Sequence, residues 1–127
     1  MKLLLDTHSF IWFINGDPRF SARARQLIED IGNVRFLSVA SLWEIAIKMS
    51  IGKLNLAQDI NGLAAQLDEN NITLLPISTS HLAVVATMPL HHRDPFDRLL
   101  IAQAQVEGMA VVGADPAFDA YGVQRLW

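Results

Sequence analysis

Short apolar runs alternate with longer amphipathic segments along the whole chain, and this alternation limits the fold more than any other feature. Four runs have the length of a buried strand: Lys2–Asp6, Val34–Leu37, Ile72–Leu75 and Ala110–Val112. Gln124–Leu126 is a candidate fifth. Strands separated by helices pair in parallel, because the crossover returns the chain to the same end of the sheet. The pattern predicts an α/β fold with a mainly parallel sheet and helices on both faces.

Capping and breaker residues mark the helices between these strands. Serine, threonine and aspartate are favoured at N-caps, proline in the first turn and glycine just past the end. These signals predict the following helices: Thr7–Asn15, Ser21 to about Ile31, Ser38 to about Ser50, Asp59 to about Asn70, Thr79 to about Met88, Asp94 to Glu107 and a short turn over Pro116–Ala120. No repeat or linker interrupts this order, so we expect one domain spanning residues 1–127.

The composition excludes several kinds of protein. The chain has no cysteine, which rules out disulfides and thiolate metal sites. Asp6 interrupts the N-terminal apolar run too early for a signal peptide. No stretch approaches the roughly 18 apolar residues that span a bilayer. We therefore expect a soluble protein without a membrane partner, and the cytoplasm as its location.

Hydrophobicity and charge constrain the partners. The hydrophobic fraction is 51%, high for a soluble domain, which indicates a surface buried against a partner or a second copy. The net charge of −3 argues against a general nucleic-acid binder. That argument weakens if four acids share a metal site, because nine acidic residues then remain against ten basic ones.

Acidic residues follow the ends of predicted strands, where open parallel sheets place their ligand sites. Asp6 ends the first strand, and Asp115 comes shortly after the fourth. Ser38 ends the second strand and begins the helix that carries Glu44. Asp97 lies in the first turn of a later helix. These four acids are the candidate site residues.

Asp6 and Glu44 each also have a purely structural interpretation. Asp6 is a favoured N-cap for the helix after it, although one oxygen can cap while the other faces a metal ion. Glu44 has Lys48 four residues on, the spacing of a helical ion pair. Its apolar neighbours indicate a buried carboxylate, however, and burial requires a strong partner.

Asp97 and Asp115 have structural interpretations as well. Asp97 stands three residues after Asp94, which is the spacing of a capping box, and acids in a first turn interact favourably with the helix dipole. Asp115 precedes a proline, as turn residues often do. For both residues the local pattern leaves a structural and a functional role open.

Considered together, the four acids point to a metal site. Crowded carboxylates repel one another, and a hard cation such as Mg²⁺, or Mn²⁺ in its place, relieves the repulsion and prefers oxygen ligands. Such an ion polarises a phosphoryl oxygen and activates water for in-line attack. The sequence therefore predicts metal-dependent phosphodiester hydrolysis, with these residues both catalytic and metal-binding: Asp6, Glu44, Asp97 and Asp115.

The sequence lacks the motifs of several other enzyme classes. We interpret the four histidines as surface or capping residues, because none has zinc-site spacing: His8, His81, His91 and His92. The chain has no Walker A loop, dinucleotide fingerprint or nucleophile elbow. A haloacid-dehalogenase-like phosphatase would need a second Asp where His8 stands. A receiver domain would need an adjacent acidic pair at its first strand.

Five segments give the chain a resemblance to a known family: Leu3–His8 (LLLDTH), Ser41–Lys48 (SLWEIAIK), Gly52–Leu54 (GKL), Asp94–Ala104 (DPFDRLLIAQA) and Val111–Asp115 (VVGAD). In this order they resemble PIN-domain proteins, specifically VapC-type toxins of type II toxin–antitoxin pairs. The resemblance covers essentially the whole chain. It implies a five-stranded parallel sheet and an Mg²⁺-dependent ribonuclease that becomes toxic when its antitoxin is lost.

The resemblance also assigns residues and partners. The family's four acids match Asp6, Glu44, Asp97 and Asp115. Many relatives carry Thr or Ser two residues before the last acid, where this chain has Gly113. Members usually form homodimers and are inhibited by a small antitoxin whose C-terminal segment lies near the active site. RNA, a cognate antitoxin and a second copy are therefore the implied partners.

Several alternatives stay open at this point. The apolar run Phe10–Ile14 either belongs to the core or, through Trp12 or Phe13, lines a partner groove. Basic residues near the motifs either steer RNA or only solvate the surface: Lys48, Lys53, Arg93 and Arg98. The chain could also be a PIN nuclease with a housekeeping role in RNA processing, or a catalytically silent binding module.

Overall fold

The computed structural model describes all residues from Met1 to Trp127, with five strands in one sheet. The strands are β1 (Lys2–Leu5), β2 (Val34–Ser38), β3 (Ile72–Leu75), β4 (Ala110–Val112) and β5 (Arg125–Leu126). Their order across the sheet is β3-β2-β1-β4-β5, and every neighbouring pair is parallel. The predicted parallel α/β sheet is confirmed.

Six α-helices and one 3-10 helix connect the strands. They are α1 (Thr7–Asn15), α2 (Ala22–Glu29), α3 (Val39–Ser50), α4 (Ile60–Glu69), α5 (Thr79–Thr87), α6 (Pro95–Glu107) and the 3-10 helix Pro116–Tyr121. None of the helices has the length and hydrophobicity needed to cross a lipid bilayer.

One predicted cap is wrong. Helix α5 is capped by Ser78 rather than by Thr79. The Ser78 hydroxyl accepts the backbone N–H of His81, and Nδ1 of His81 accepts the backbone N–H of Ser78. This reciprocal pair satisfies two helix-end donors at once, and serine is the better N-cap residue of the two, so the helix begins after Ser78.

The two faces of the sheet have separate cores, and alternate residues of β1 enter them. Leu3 and Leu5 pack with buried residues of α1 to α4, whereas Leu4 packs with residues of α6 and the 3-10 helix. All three leucines are completely buried. A strand covered on both faces reads as a continuous apolar run, which explains the uninterrupted leucines. Helices on both faces are therefore confirmed.

The strand order changes direction beside β1, and this positions the site. Strand β1 has β2 on one side and β4 on the other. The backbone N–H of Asp6 donates to the carbonyl of Val112 at 3.1 Å, so the residues that follow β1 and β4 leave the sheet side by side. In open parallel sheets, a crevice forms at the carboxyl ends of two such strands.

Candidate metal centre

Asp6 begins α1 at this crevice and is only 5% exposed. Its Oδ1 accepts the backbone N–H of Ser9 at 2.8 Å, while its Oδ2 accepts no hydrogen bond from the protein. Burial raises the pKa of Asp6, hydrogen bonding from Ser9 opposes the rise, and the negative charge of Asp115 adds to it. Asp6 therefore combines the predicted cap with a second oxygen that lacks a partner.

Gly113 lies directly against this carboxylate. A Cβ atom at Gly113 would stand 2.7 Å from Oδ2 of Asp6 and 3.0 Å from its Cγ, well inside van der Waals contact. The backbone N–H of Gly113 donates to the carbonyl of Leu126, which fixes the glycine relative to β5. Any side chain here would displace Asp6, so Gly113 makes room for the carboxylate.

Asp115 shares a cavity with Asp6. The cavity has a volume of about 240 Å³, and His8, Trp12 and Ala114 complete its lining. Asp115 is exposed, and its Oδ1 caps the 3-10 helix by accepting the backbone N–H of Ala117 at 2.9 Å. The predicted turn role is confirmed, and the same carboxylate also adjoins Asp6. A larger cavity of about 530 Å³, along α4 and β3, gathers no comparable acids.

Asp97 lies in the first turn of α6 and turns away from its own helix cap. Asp94 caps α6 by accepting the backbone N–H groups of Phe96 and Asp97, but the Asp97 side chain does not return to Asp94, so no reciprocal capping box forms. Its Oδ2 instead contacts Nε2 of His92 at 2.8 Å.

The electrostatic surroundings of Asp97 link it to Asp6. Burial raises the pKa of Asp97 to about 6, the hydrogen bond from His92 opposes this rise, and the charges of Asp94 and Asp6 add to it. Because the charge of Asp6 reaches Asp97, the two carboxylates repel one another when no cation is present.

Glu44 is as buried as Asp6 but has a protein partner for each oxygen. Its Oε1 lies 2.8 Å from the hydroxyl of Thr7, the residue after Asp6, and its Oε2 pairs with Nζ of Lys48 at 2.8 Å. The burial expected from the apolar neighbours is confirmed, and so is the structural pairing with Lys48. Glu44 therefore adjoins the start of α1 with its charge already compensated.

The four predicted acids are distributed around the crevice without forming one tight cluster. Two share a cavity, a third is within electrostatic reach of Asp6, and the fourth is joined to Thr7. The only three side chains whose potential ligand atoms lie within 4.8 Å of one another are His92, Asp94 and Asp97. The two carboxylates of this group suit Mg²⁺ or Mn²⁺, whereas an imidazole ligand is typical of metals such as Zn²⁺ or Fe²⁺.

Sequence reasoning missed the contact between His92 and Asp97. We interpreted all four histidines as surface or capping residues, which fits the capping His81 but overlooks the role of His92. The two residues are five apart, a separation that no regular helix or strand brings together, so periodicity gave no signal.

The structure bears on the two alternatives that concern the basic residues and the apolar run Phe10–Ile14. Lys48 is paired with Glu44, and Arg98 donates to the carbonyls of Pro89 and His92 at 3.2 and 3.3 Å, so both have structural partners. Phe10 is fully buried in the core. Trp12 is half-buried and lines the cavity, and the Arg19 guanidinium lies 5.1 Å from its ring centroid.

The profile of the PIN domain family matches residues 3–124. The chain belongs to this family. The family to which the five segments pointed is therefore confirmed by a match over nearly the whole chain. No curated protein sequence matches the chain as a relative.

Several solved structures are similar to this PIN domain. VapBC2 from Rickettsia felis, bound to a DNA fragment from its promoter, is 15% identical with a TM-score of 0.72, covering 99% of this chain and 98% of that one. VapBC-1 from nontypeable Haemophilus influenzae is 14% identical with a TM-score of 0.72, covering 99% and 97%. FitAcB from Neisseria gonorrhoeae is 19% identical with a TM-score of 0.66, covering 98% and 96%. At these identities the likeness shows the fold.

Proposed function

We propose that this PIN-domain protein is an Mg²⁺-dependent endoribonuclease that hydrolyses RNA phosphodiester bonds. The proposed catalytic and metal-binding residues are Asp6, Glu44, Asp97 and Asp115. The observation that carries the proposal is the cavity that Asp6 and Asp115 line together, where Oδ2 of the largely buried Asp6 accepts no hydrogen bond from the protein. When bound, the cation would polarise a phosphoryl oxygen and activate water for attack; Mn²⁺ is a chemically suitable substitute.

The chain's own residues prepare this chemistry. Asp6 and Asp115 offer oxygen atoms to the cavity, and Asp97, with a pKa of about 6, is largely ionised at neutral pH. Thr7 orients Glu44, and Lys48 offsets part of its charge, which limits repulsion among the acids. Repulsion between the remaining carboxylates favours binding of a divalent cation over leaving their negative charges uncompensated.

Cleavage of a mixed RNA pool tests the proposal. The purified protein should cleave with Mg²⁺ or Mn²⁺ and stop with EDTA, and Asp6→Asn should abolish cleavage. Asp30→Asn is the matched control, because Asp30 also accepts a backbone N–H, from Gly32, but precedes β2 at the opposite end of the sheet. Cleavage that survives in Asp6→Asn or in EDTA would refute the metal mechanism.

We further propose that the nuclease is the toxin of a cytoplasmic toxin–antitoxin pair and that it binds a small antitoxin. We also propose that the whole chain, residues 1–127, is one PIN domain and that this domain forms a homodimer. The similar VapBC and FitAcB structures support this role through their shared fold. Large exposed apolar side chains on successive turns near α3 support a covered surface: Trp43, Ile47 and Ile51. Light scattering measures the mass of the isolated protein.

Expression in a bacterial host distinguishes the toxin from its alternatives. A toxin should arrest growth as wild type but not as Asp6→Asn, and co-expression of its cognate antitoxin should restore growth. RNA cleavage without growth arrest would favour a housekeeping nuclease. A folded protein that neither cleaves RNA nor binds Mn²⁺ would favour a catalytically silent binding module.

A further inference from the structure

We propose that His92 is a positioning residue for Asp97, and that Tyr121 in turn fixes His92. The inference rests on the proposed function, because it gives His92 a purpose only if the Asp97 carboxylate binds a cation. Three observations carry it: the contact between the two side chains, the anchoring of the His92 backbone, and the position of Tyr121 at the end of the 3-10 helix that Asp115 begins.

The first observation is the contact with Asp97. Nε2 of His92 lies 2.8 Å from Oδ2 of Asp97, while Oδ1 has no hydrogen bond from the protein. An ionised carboxylate only accepts hydrogen bonds, so the imidazole N–H is the donor here. A donor on one oxygen fixes the plane of the carboxylate and leaves the other oxygen for a ligand. Groups that act in this way on metal ligands are common in metalloproteins.

The second observation is that the backbone of His92 is held on both sides. Its N–H donates to the hydroxyl oxygen of Tyr121 at 2.8 Å, and its carbonyl accepts from the guanidinium of Arg98 at 3.3 Å. Residues 88–94 form neither helix nor strand, so hydrogen bonds to these side chains take the place of the backbone hydrogen bonds of a helix or sheet. The ring of His92 therefore extends from an anchored peptide.

The third observation concerns Tyr121 itself. It ends the 3-10 helix whose N-cap is Asp115, and its carbonyl accepts from Nε2 of Gln105 on α6 at 3.1 Å. The 3-10 helix therefore joins Asp115 at one end to the support of Asp97 at the other. The backbone of His92 contacts Tyr121 and Arg98, whereas its ring contacts Asp97. We assign the positioning of Asp97 to the ring contact.

Manganese binding by calorimetry tests the inference in four variants. His92→Ala should weaken Mn²⁺ binding about 10- to 100-fold, the usual effect of losing such a partner, and His92→Gln, which keeps an N–H donor, should recover most of the affinity. Tyr121→Phe should weaken binding less than His92→Ala. His91→Ala is the matched control, because His91 is exposed and its ring contacts Tyr121 but no acid.

Further readouts separate positioning from the other roles. Thermal melting in EDTA identifies any variant that fails to fold, and if His92→Ala is one, Tyr121→Phe decides the question. Wild-type Mn²⁺ affinity in a folded His92→Ala or Tyr121→Phe protein would overturn the inference. Direct nitrogen coupling to Mn²⁺ in pulsed electron paramagnetic resonance, lost in His92→Ala, would overturn it too, because His92 would then be a ligand. Absence of Mn²⁺ binding by wild type would refute the proposed function and this inference together.

Discussion

Asp6 and Glu44 are buried to the same extent, each 5% exposed, yet the protein treats them differently. Glu44 has Thr7 on one oxygen and Lys48 on the other. Asp6 accepts hydrogen bonding from Ser9 alone, and burial raises its pKa. A buried charge must be compensated, and for Asp6 the protein supplies only part of that compensation. The comparison teaches that an unpartnered oxygen, more than burial itself, marks a carboxylate available to a cation.

Replacing Asp6 or Glu44 by its amide should give the largest difference between the two carboxylates. Asp6→Asn should lower Mn²⁺ affinity by more than about 100-fold, beyond the range typical of outer-shell partners. Its melting temperature in EDTA should stay equal or rise, because the amide oxygen still accepts the N–H of Ser9 while the buried charge disappears. Glu44→Gln should reduce affinity less and gain no stability. Calorimetry and melting curves measure both, and equal behaviour would remove the distinction.

Filling the space beside Asp6 should produce the next largest effect. Gly113→Ala places a Cβ where only 2.7 Å is available to Oδ2 of Asp6, so the carboxylate must move. We expect about 10-fold weaker Mn²⁺ binding, comparable to losing an outer-shell contact. Gly32→Ala is the control, since its Cβ would meet only the exposed Asp30 side chain, at 3.2 Å. Unchanged affinity in Gly113→Ala would show that Asp6 tolerates the shift.

Removing the partner of Glu44 should affect stability more than metal binding. Lys48→Met leaves one oxygen of a buried carboxylate without its donor, which costs about 1–3 kcal/mol of unfolding free energy. Lys53→Met, an exposed lysine on the following turn, should change stability by less than about 0.5 kcal/mol. Urea denaturation measures both. If the two variants are equally stable, Lys48 does not compensate Glu44.

The smallest expected effect is a pH dependence of stability that originates at Asp97. Between its ordinary pKa of 3.8 and the folded value of about 6, the folded protein holds a proton that the unfolded chain has released. The contribution of Asp97 to stability therefore falls as pH rises through this window. In EDTA, wild type should lose melting temperature from pH 4 to 7 relative to Asp97→Asn, and Mn²⁺ should reverse the loss. Parallel curves would contradict this.

Capping signals and apolar runs were enough to predict most elements of the fold. Asp6, Ser21, Ser38, Asp59 and Asp94 all cap the helices assigned to them, because each cap bonds only to residues two or three positions on. The exception is instructive: Ser78 replaces Thr79 because the ring of His81 completes a reciprocal pair. The same local logic suggested a capping box for Asp97, which the contact with His92 replaces.

The sequence by itself determined the strands, the helices and the family, and it singled out four candidate acids, since each of these depends on neighbours along the chain or on motif order. Only the tertiary structure decided how those acids differ. The contact of Gly113 with Asp6 joins residues that lie far apart in sequence, and so does the hydrogen bond from the backbone of His92 to the hydroxyl of Tyr121. Such contacts depend on how strands and helices pack, which gives them no period or spacing that a sequence could display.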